Sequence, residues 1–309
     1  MKKIFSMLGA ISIILTGTIN LFACNENSHF KFLTNFSYIT GKINVDKNNN
    51  IYTTNINNSD VFKYKNENEE EKIGNTNGPV FSNIIFDKDD NVYFGNVHGE
   101  ILKYDAKLNQ LLIICKMQDI RFRIKSLCID KNNYIIYYLY DSKVYKYDIK
   151  NKIYTEIINY SNTEVNVLTI DKKGNLYIGG WSFVYKYNTI LNKEEKINVI
   201  GDIDILEVDS NNNVYAGQNS NNYSINKISN DFSSCFSFSP KMTYNHLIID
   251  NKNNVYITNK NKIYKNISES KEEIFNEIFV AKDKIKYFIF GENQKIYFIT
   301  NNSLFRLIP

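Results

Sequence analysis

The sequence predicts an all-β fold: a seven-bladed β-propeller of four-stranded antiparallel blades, its ring closed by an N-terminal strand. One phrase recurs along the chain, an Asp, a few polar residues, then an aliphatic–Tyr pair. An alternating apolar stretch precedes every copy. The last copy runs out of chain before its outermost strand, while a short apolar segment stands unassigned ahead of the first. A period near 40 residues built from short strands is the mark of a propeller, one blade per repeat.

The phrase reads VDKNNNIY at Asp46 and Tyr52, FDKDDNVY at Asp87 and Tyr93, and IDKNNYIIY at Asp130 and Tyr137. It continues as IDKKGNLY (Asp171, Tyr177), VDSNNNVY (Asp209, Tyr215) and IDNKNNVY (Asp250, Tyr256), with a worn copy, FGENQKIY, at Gly291 and Tyr297. The steps between these positions are 41, 43, 41, 38, 41 and 41 residues. One residue before the Asp stand Val45, Phe86, Ile129, Ile170, Val208, Ile249 and Phe290, and three before it another apolar residue in every copy. Apolar residues at period two make one face of a strand, so this is the innermost strand, A, packed between blades. The Asp-led tetrad is turn chemistry, because Asp and Asn bond their own backbone two residues on and tolerate left-handed geometry. Strand B then carries the aliphatic–Tyr pair.

Strand C holds one basic residue per repeat: Lys63, Lys103, Lys146, Lys186, Lys227, Lys265 and Arg306. Between aromatic neighbours it fits a solvent face, and a Lys there discourages edge-to-edge pairing. A less regular strand D follows, for example over residues 69–73, 111–116 and 193–199. The last repeat has no strand D. The apolar segment at residues 30–33 is expected to supply it and close the ring. Residues 29–309 then form one seven-bladed domain, since each blade buries its faces only against its neighbours.

The N-terminus predicts location. Lys2 and Lys3 precede an uncharged run over residues 4–22 that ends in Leu21-Phe22-Ala23-Cys24. A basic start, an apolar middle and a small residue before the cut make a secretory signal. Cys directly after that site resembles the bacterial lipobox, in which the Cys becomes the acylated first residue; the alternative is an ordinary signal peptide. The expected layout is a lipoprotein signal peptide over 1–23, a lipidated Cys24 with a short linker over 24–28, and the propeller over 29–309. With 48 Asn and 3 Pro, the chain resembles the surface lipoproteins of wall-less, AT-rich bacteria. That resemblance implies a protein on the extracellular face of the membrane.

Charge excludes little. The precursor carries +4, with no basic block, so there is no nucleic-acid footprint. Three cysteines remain after Cys24, at 115, 128 and 235, an odd number that completes no disulfide framework. They are expected to be buried thiols. The three His, at 29, 98 and 246, have no metal-ligand spacing. DKDDN at 87–91 lacks the distal Glu of a calcium loop. Neither a metal nor a cofactor is expected, and the expected state is a monomer.

Four residues are candidate ligand contacts. Trp181, in GGWS after a strand B, either packs on the next blade or stands on the rim, where a Trp can stack a sugar or anchor a partner. His246 lies in a strand A with Glu207 on the neighbouring blade. The two could line the central channel, as polar groups satisfied near tunnel water or as ligand contacts. His98 belongs to a loop expected at the same rim.

IDKKGNLYIGG at 170–180 brings the repeats closest to the NHL-type and streptogramin-lyase-type propellers, which the chain resembles from Gly41 to Pro309. The resemblance implies the fold. Lyase- and gluconolactonase-type members use His or carboxylate–Asn clusters at the channel mouth, and no motif here receives those roles. Two functions remain. The first is a non-enzymatic surface module binding a host surface protein or glycan through outward loops. The second is an extracytoplasmic hydrolase or lyase with its site at the channel mouth.

Overall fold

The computed structural model describes residues 30–130, 134–161, 163–218, 224–266 and 274–307, and contains no helix among them. The predicted signal segment, Cys24 and the linker lie outside these residues. Seven antiparallel sheets stand in a ring. The first blade runs Thr40–Val45, Ile51–Asn55, Asp60–Lys65 and Glu69–Asn75 as strands A to D. The last pairs Tyr287–Phe290, Ile296–Ile299 and Ser303–Leu307 with Phe30–Asn35. The N-terminal strand therefore closes the ring as expected. It runs two residues beyond the predicted 30–33, with a register break between Phe32 and Thr34.

Blade 4 looks three-stranded, because Asn175–Asn188 is one continuous strand. Its two ends nevertheless meet. The Asn188 amide donates to Asn175 Oδ1 at 3.1 Å, and Thr189 Oγ1 donates to the Gly174 carbonyl at 2.8 Å. The strand doubles back at Trp181–Ser182, where Ser182 takes a left-handed φ of 59°. It is a hairpin of strands B and C with a tight tip.

The core is divided among the blades. Seven apolar clusters each join two neighbouring sheets: Tyr52 and Val61 of blade 1 pack on Phe86 and Phe94 of blade 2, and Ile43 and Tyr64 of blade 1 pack on Tyr297 and Leu304 of blade 7. This is nearest-neighbour stability of the kind a solenoid has, bent into a circle.

The repeated phrase is a folding device. In Asp87, Oδ1 accepts the backbone N–H of Asp89 and of Asn91, at 2.9 and 3.0 Å. Its Oδ2 accepts the Asn91 amide and the Tyr93 hydroxyl, both at 2.8 Å. Asp171 repeats all four contacts with Lys173, Asn175 and Tyr177. The residue before the Asn has φ near +65° in Asn49, Asp90, Asn212 and Asn253, and Gly174 fills the place in blade 4. That left-handed region suits Asn, Asp and Gly. The turn Asn then reaches outward: Asn91 Oδ1 accepts the Ala106 N–H at 3.1 Å, and Asn50 Oδ1 the Asn66 N–H at 3.4 Å. So the A–B and C–D turns share one rim, called lower here.

Blade 7 lacks the Asp and replaces it from its neighbour. The Tyr297 hydroxyl accepts the Asn293 amide at 2.6 Å and donates to Glu67 Oε1 at 3.2 Å. Glu67, in the C–D turn of blade 1, is buried and also pairs with Arg306.

The basic residues of strand C correct one expectation. Strand C lies between B and D in the sheet and is not an edge. Its basic residue stands directly opposite the phrase Tyr, as in Tyr52↔Lys63, Tyr215↔Lys227 and Tyr297↔Arg306. In three blades the ammonium hangs over that ring, 5.6 Å from its centroid for Lys63, 5.0 Å for Lys227 and 5.3 Å for Lys265. The Lys is a cation–π cover for the Tyr.

Candidate ligand-binding site

The rim opposite the Asp-led turns carries the starts of the inner strands and the tips of the B–C hairpins. There the channel opens into a cavity of about 870 Å³, within the usual size range of small-ligand pockets. A narrower space of about 490 Å³ continues below it past Cys128 and Thr169.

Most inner-strand polar side chains brace one blade to the next. The Asn44 amide donates to the Ile84 carbonyl at 2.8 Å. Asn83 donates to the Leu127 carbonyl and accepts its N–H, at 2.8 and 2.9 Å. Ser126 does the same with Leu168 at 3.1 and 3.3 Å. The Asn166 amide donates to Asp202 Oδ1 at 3.0 Å. The Asn44, Asn83 and Ser126 braces join the first four blades, and that of Asn166 ties the inner strand of blade 4 to its own outermost strand.

Glu207 and His246 have no such duty between blades 5 and 6. Both line the mouth cavity. Glu207 has no hydrogen-bonding partner among the described residues, and burial pushes its carboxyl up to about 7. His246 Nδ1 lies 2.8 Å from Thr258 Oγ1. Burial, helped by the charges of Lys42 and Lys284, pulls the imidazole down to about 4 against a hydrogen bond to the Lys286 backbone. Near neutrality the site therefore holds a carboxyl that is still about half protonated and an imidazole that lacks its second proton.

Around this pair the wall is divided by sign. Lys42 of blade 1, Arg123 and Lys125 of blade 3 and Lys286 of blade 7 form a basic arc. Glu164 and Asp202 of blade 4 with Asp204, which leads into blade 5, form an acidic one. Arg123 lies flat on Phe81, its guanidinium carbon 3.7 Å from the ring centroid, with Lys42 Nζ 5.8 Å from the same ring. Burial lowers the pKa of Lys42 and of Lys125. The two arcs touch at Lys125, which donates to the Val165 carbonyl at 3.0 Å and sits 3.8 Å from Glu164.

Trp181 does not pack on the next blade. It is 72 % exposed at the hairpin tip of blade 4 and stands opposite Asp202 in the ladder. His98 is an exposed hairpin-tip residue of blade 2 whose N–H donates to Asn96 Oδ1 at 3.0 Å. It is not part of the mouth wall. Cys115 and Cys128 are buried thiols, and Cys235 is half-buried. The arcs were missed in the sequence because they lie four to seven residues before the Asp, where the phrase has no fixed pattern. The available signal was the segregation of charge by repeat: Lys42; Arg123 and Lys125; Glu164; Asp202 and Asp204; Lys284 and Lys286.

No family model and no curated protein sequence matches the chain. Solved structures do. A streptogramin B lyase superposes with a TM-score of 0.75 at 10% identity, over 90% of this chain and 96% of that one. Virginiamycin B lyase from Staphylococcus aureus gives 0.74 at 12%, over 90% and 98%. A chain of the mitotic checkpoint complex gives 0.77 at 12%, over 98% of both. At such identities the likeness is one of fold, a seven-bladed propeller.

Proposed function

We propose that the chain is a lipid-anchored extracellular binding module that takes its ligand, part of a host surface protein or glycan, at the upper mouth of the channel. The observation that carries this is the mouth wall. It combines a cavity of ligand size with a Glu207 that has no hydrogen-bonding partner among the described residues, and the exposed Trp181 stands on the same rim, outside the lining of that cavity. The anchor rests on Lys2, Lys3, the apolar run and the lipobox-like Leu21-Phe22-Ala23-Cys24. Phe30 pairs with Leu307 at the end of a strand C, so the chain joins the propeller at the lower rim. Residues 25–28 span at most about 14 Å, which holds that rim against the bilayer.

The lower rim suits that position. Leu108, Ile153, Ile190 and Leu191, in or beside the C–D turns of three adjacent blades, are 61–79 % exposed. Lys107, Lys152 and Lys193 stand next to them. Apolar tips among Lys match an anionic bilayer interface. Cys24→Ser is expected to release the protein from the membrane or to block its maturation; membrane fractionation equal to that of the native chain would reject the anchor. In a pull-down against host surface proteins and glycans, Trp181→Ala should cut capture about tenfold. Capture that ignores Trp181 would move the site away from the mouth.

A second reading has its own observation. Glu207 protonated and His246 neutral in one cavity are a proton donor and a proton acceptor, the set a hydrolase or lyase needs. Turnover of a captured ligand, lost in Glu207→Gln, would establish it.

A further inference from the structure

A ligand in the mouth meets walls of opposite charge, and the arrangement selects for its chemistry. We infer that the mouth takes a short peptide with both termini free, its carboxylate on the Lys42–Arg123 wall and its ammonium on the Glu164–Asp202 wall. The inference rests on the mouth being a binding site.

The basic wall is prepared for a carboxylate. Neither Lys42 nor Arg123 forms an ion pair with a described residue. Phe81 holds the guanidinium in one plane from beneath. A planar guanidinium with free N–H groups is the natural fork for a carboxylate. Lys42 adds a second positive charge beside the same ring.

The acidic wall is prepared for an ammonium. Glu164 is held only loosely, at 3.8 Å from Lys125, and its side chain is 72% exposed. Asp202 accepts one hydrogen bond, from Asn166, and lines the cavity. Trp181 stands opposite it with most of its surface open. An aromatic face beside carboxylates is a known receiver of ammonium groups. A ligand of one sign would be attracted by one arc and repelled by the other.

Spacing selects a peptide over a compact zwitterion. Lys42 belongs to the first blade and Asp202 to the D strand that leads into the fifth, nearly across the ring. Seven inner strands at least one strand spacing of about 5 Å apart make a circle at least roughly 11 Å wide. Two to four extended residues span at most about 7–14 Å between their termini. A lipid headgroup, its two charges only a few bonds apart, reaches both walls only where they touch, at Lys125 and Glu164.

The experiment titrates trialanine, its N-acetylated form and its C-amidated form into the full-length Cys24→Ser protein, read by calorimetry and by the fluorescence of Trp181. Trialanine should bind, and blocking either terminus should weaken it at least tenfold. Arg123→Gln should erase the penalty for amidation and leave that for acetylation. Glu164→Gln should do the reverse. Both side chains stand on the rim, and circular dichroism checks the fold. No binding of trialanine, or equal binding of the three forms, overturns the inference. If a glycan or host protein is then captured in a Trp181-dependent way, the mouth remains a binding site and only the peptide falls. If no capture depends on mouth residues, the binding reading falls with it.

Discussion

Glu207 and His246 face one cavity with opposite displacements from their ordinary titration ranges, and each carries a pH signature. Folded Glu207 keeps its proton up to about 7, whereas an unfolded Glu releases it near 4.3. Between those values the folded chain binds the extra proton, so stability falls as pH rises through that window and stays lower above it. His246 acts at the other end. Its folded value is about 4 and its unfolded value about 6.5, so stability is lost as pH drops from 6.5 toward 4. Glu207→Gln should therefore be more stable than the native chain at pH 8, with the advantage gone by pH 4.5. The gain is bounded at about 4 kcal/mol and reduced by water in the open channel. Denaturant melts at the two pH values decide this. Parallel profiles for native and variant would show that Glu207 ionises normally.

At the scale of the element, the closing blade is the informative one. Its missing Asp is replaced by Glu67 from blade 1, which meets both Tyr297 and Arg306. Glu67→Ala would leave the half-buried Arg306 guanidinium and the Tyr297 hydroxyl without their partner and should cost about 1–3 kcal/mol. Glu71→Ala removes the more exposed pair with Lys65 and should cost less than about 1 kcal/mol. Urea unfolding of the two variants measures the difference, and equal losses would deny Glu67 its closing role. The elements were legible in the sequence because each phrase residue has a fixed geometric task. Asp collects the turn N–H groups, the next-to-last polar residue takes positive φ, and Tyr reaches back to the Asp. Glu67 was not legible, since its task depends on a contact between chain ends more than 200 residues apart. Whether Trp181 packs or stands free stayed open in the sequence because the doubling back of Asn175–Asn188 at that residue leaves no trace in local pattern. The Lys of strand C was read as an edge guard because sequence spacing does not reveal which side of Tyr it covers.

At the scale of the whole molecule, the two rims of the ring differ in what they expose. If the chain is lipid-anchored as proposed, the lower rim, with the chain entry, the exposed Leu108, Ile190 and Leu191 and their Lys neighbours, lies on the bilayer. The charged mouth then faces outward. The ring geometry was readable from the period of the phrase. The charged arcs of the mouth were not, because a propeller's channel collects residues from seven separate strands. The chain provides its own reporter, since it has 1 Trp and that Trp181 is on the upper rim. The lipidated protein can be bound to anionic vesicles and its fluorescence challenged with a water-soluble quencher and with brominated lipid. The account predicts that Trp181 is quenched from the water as efficiently as in the free protein and is untouched by the bromolipid. Quenching by bromolipid with protection from the aqueous quencher would put the mouth against the membrane and contradict it.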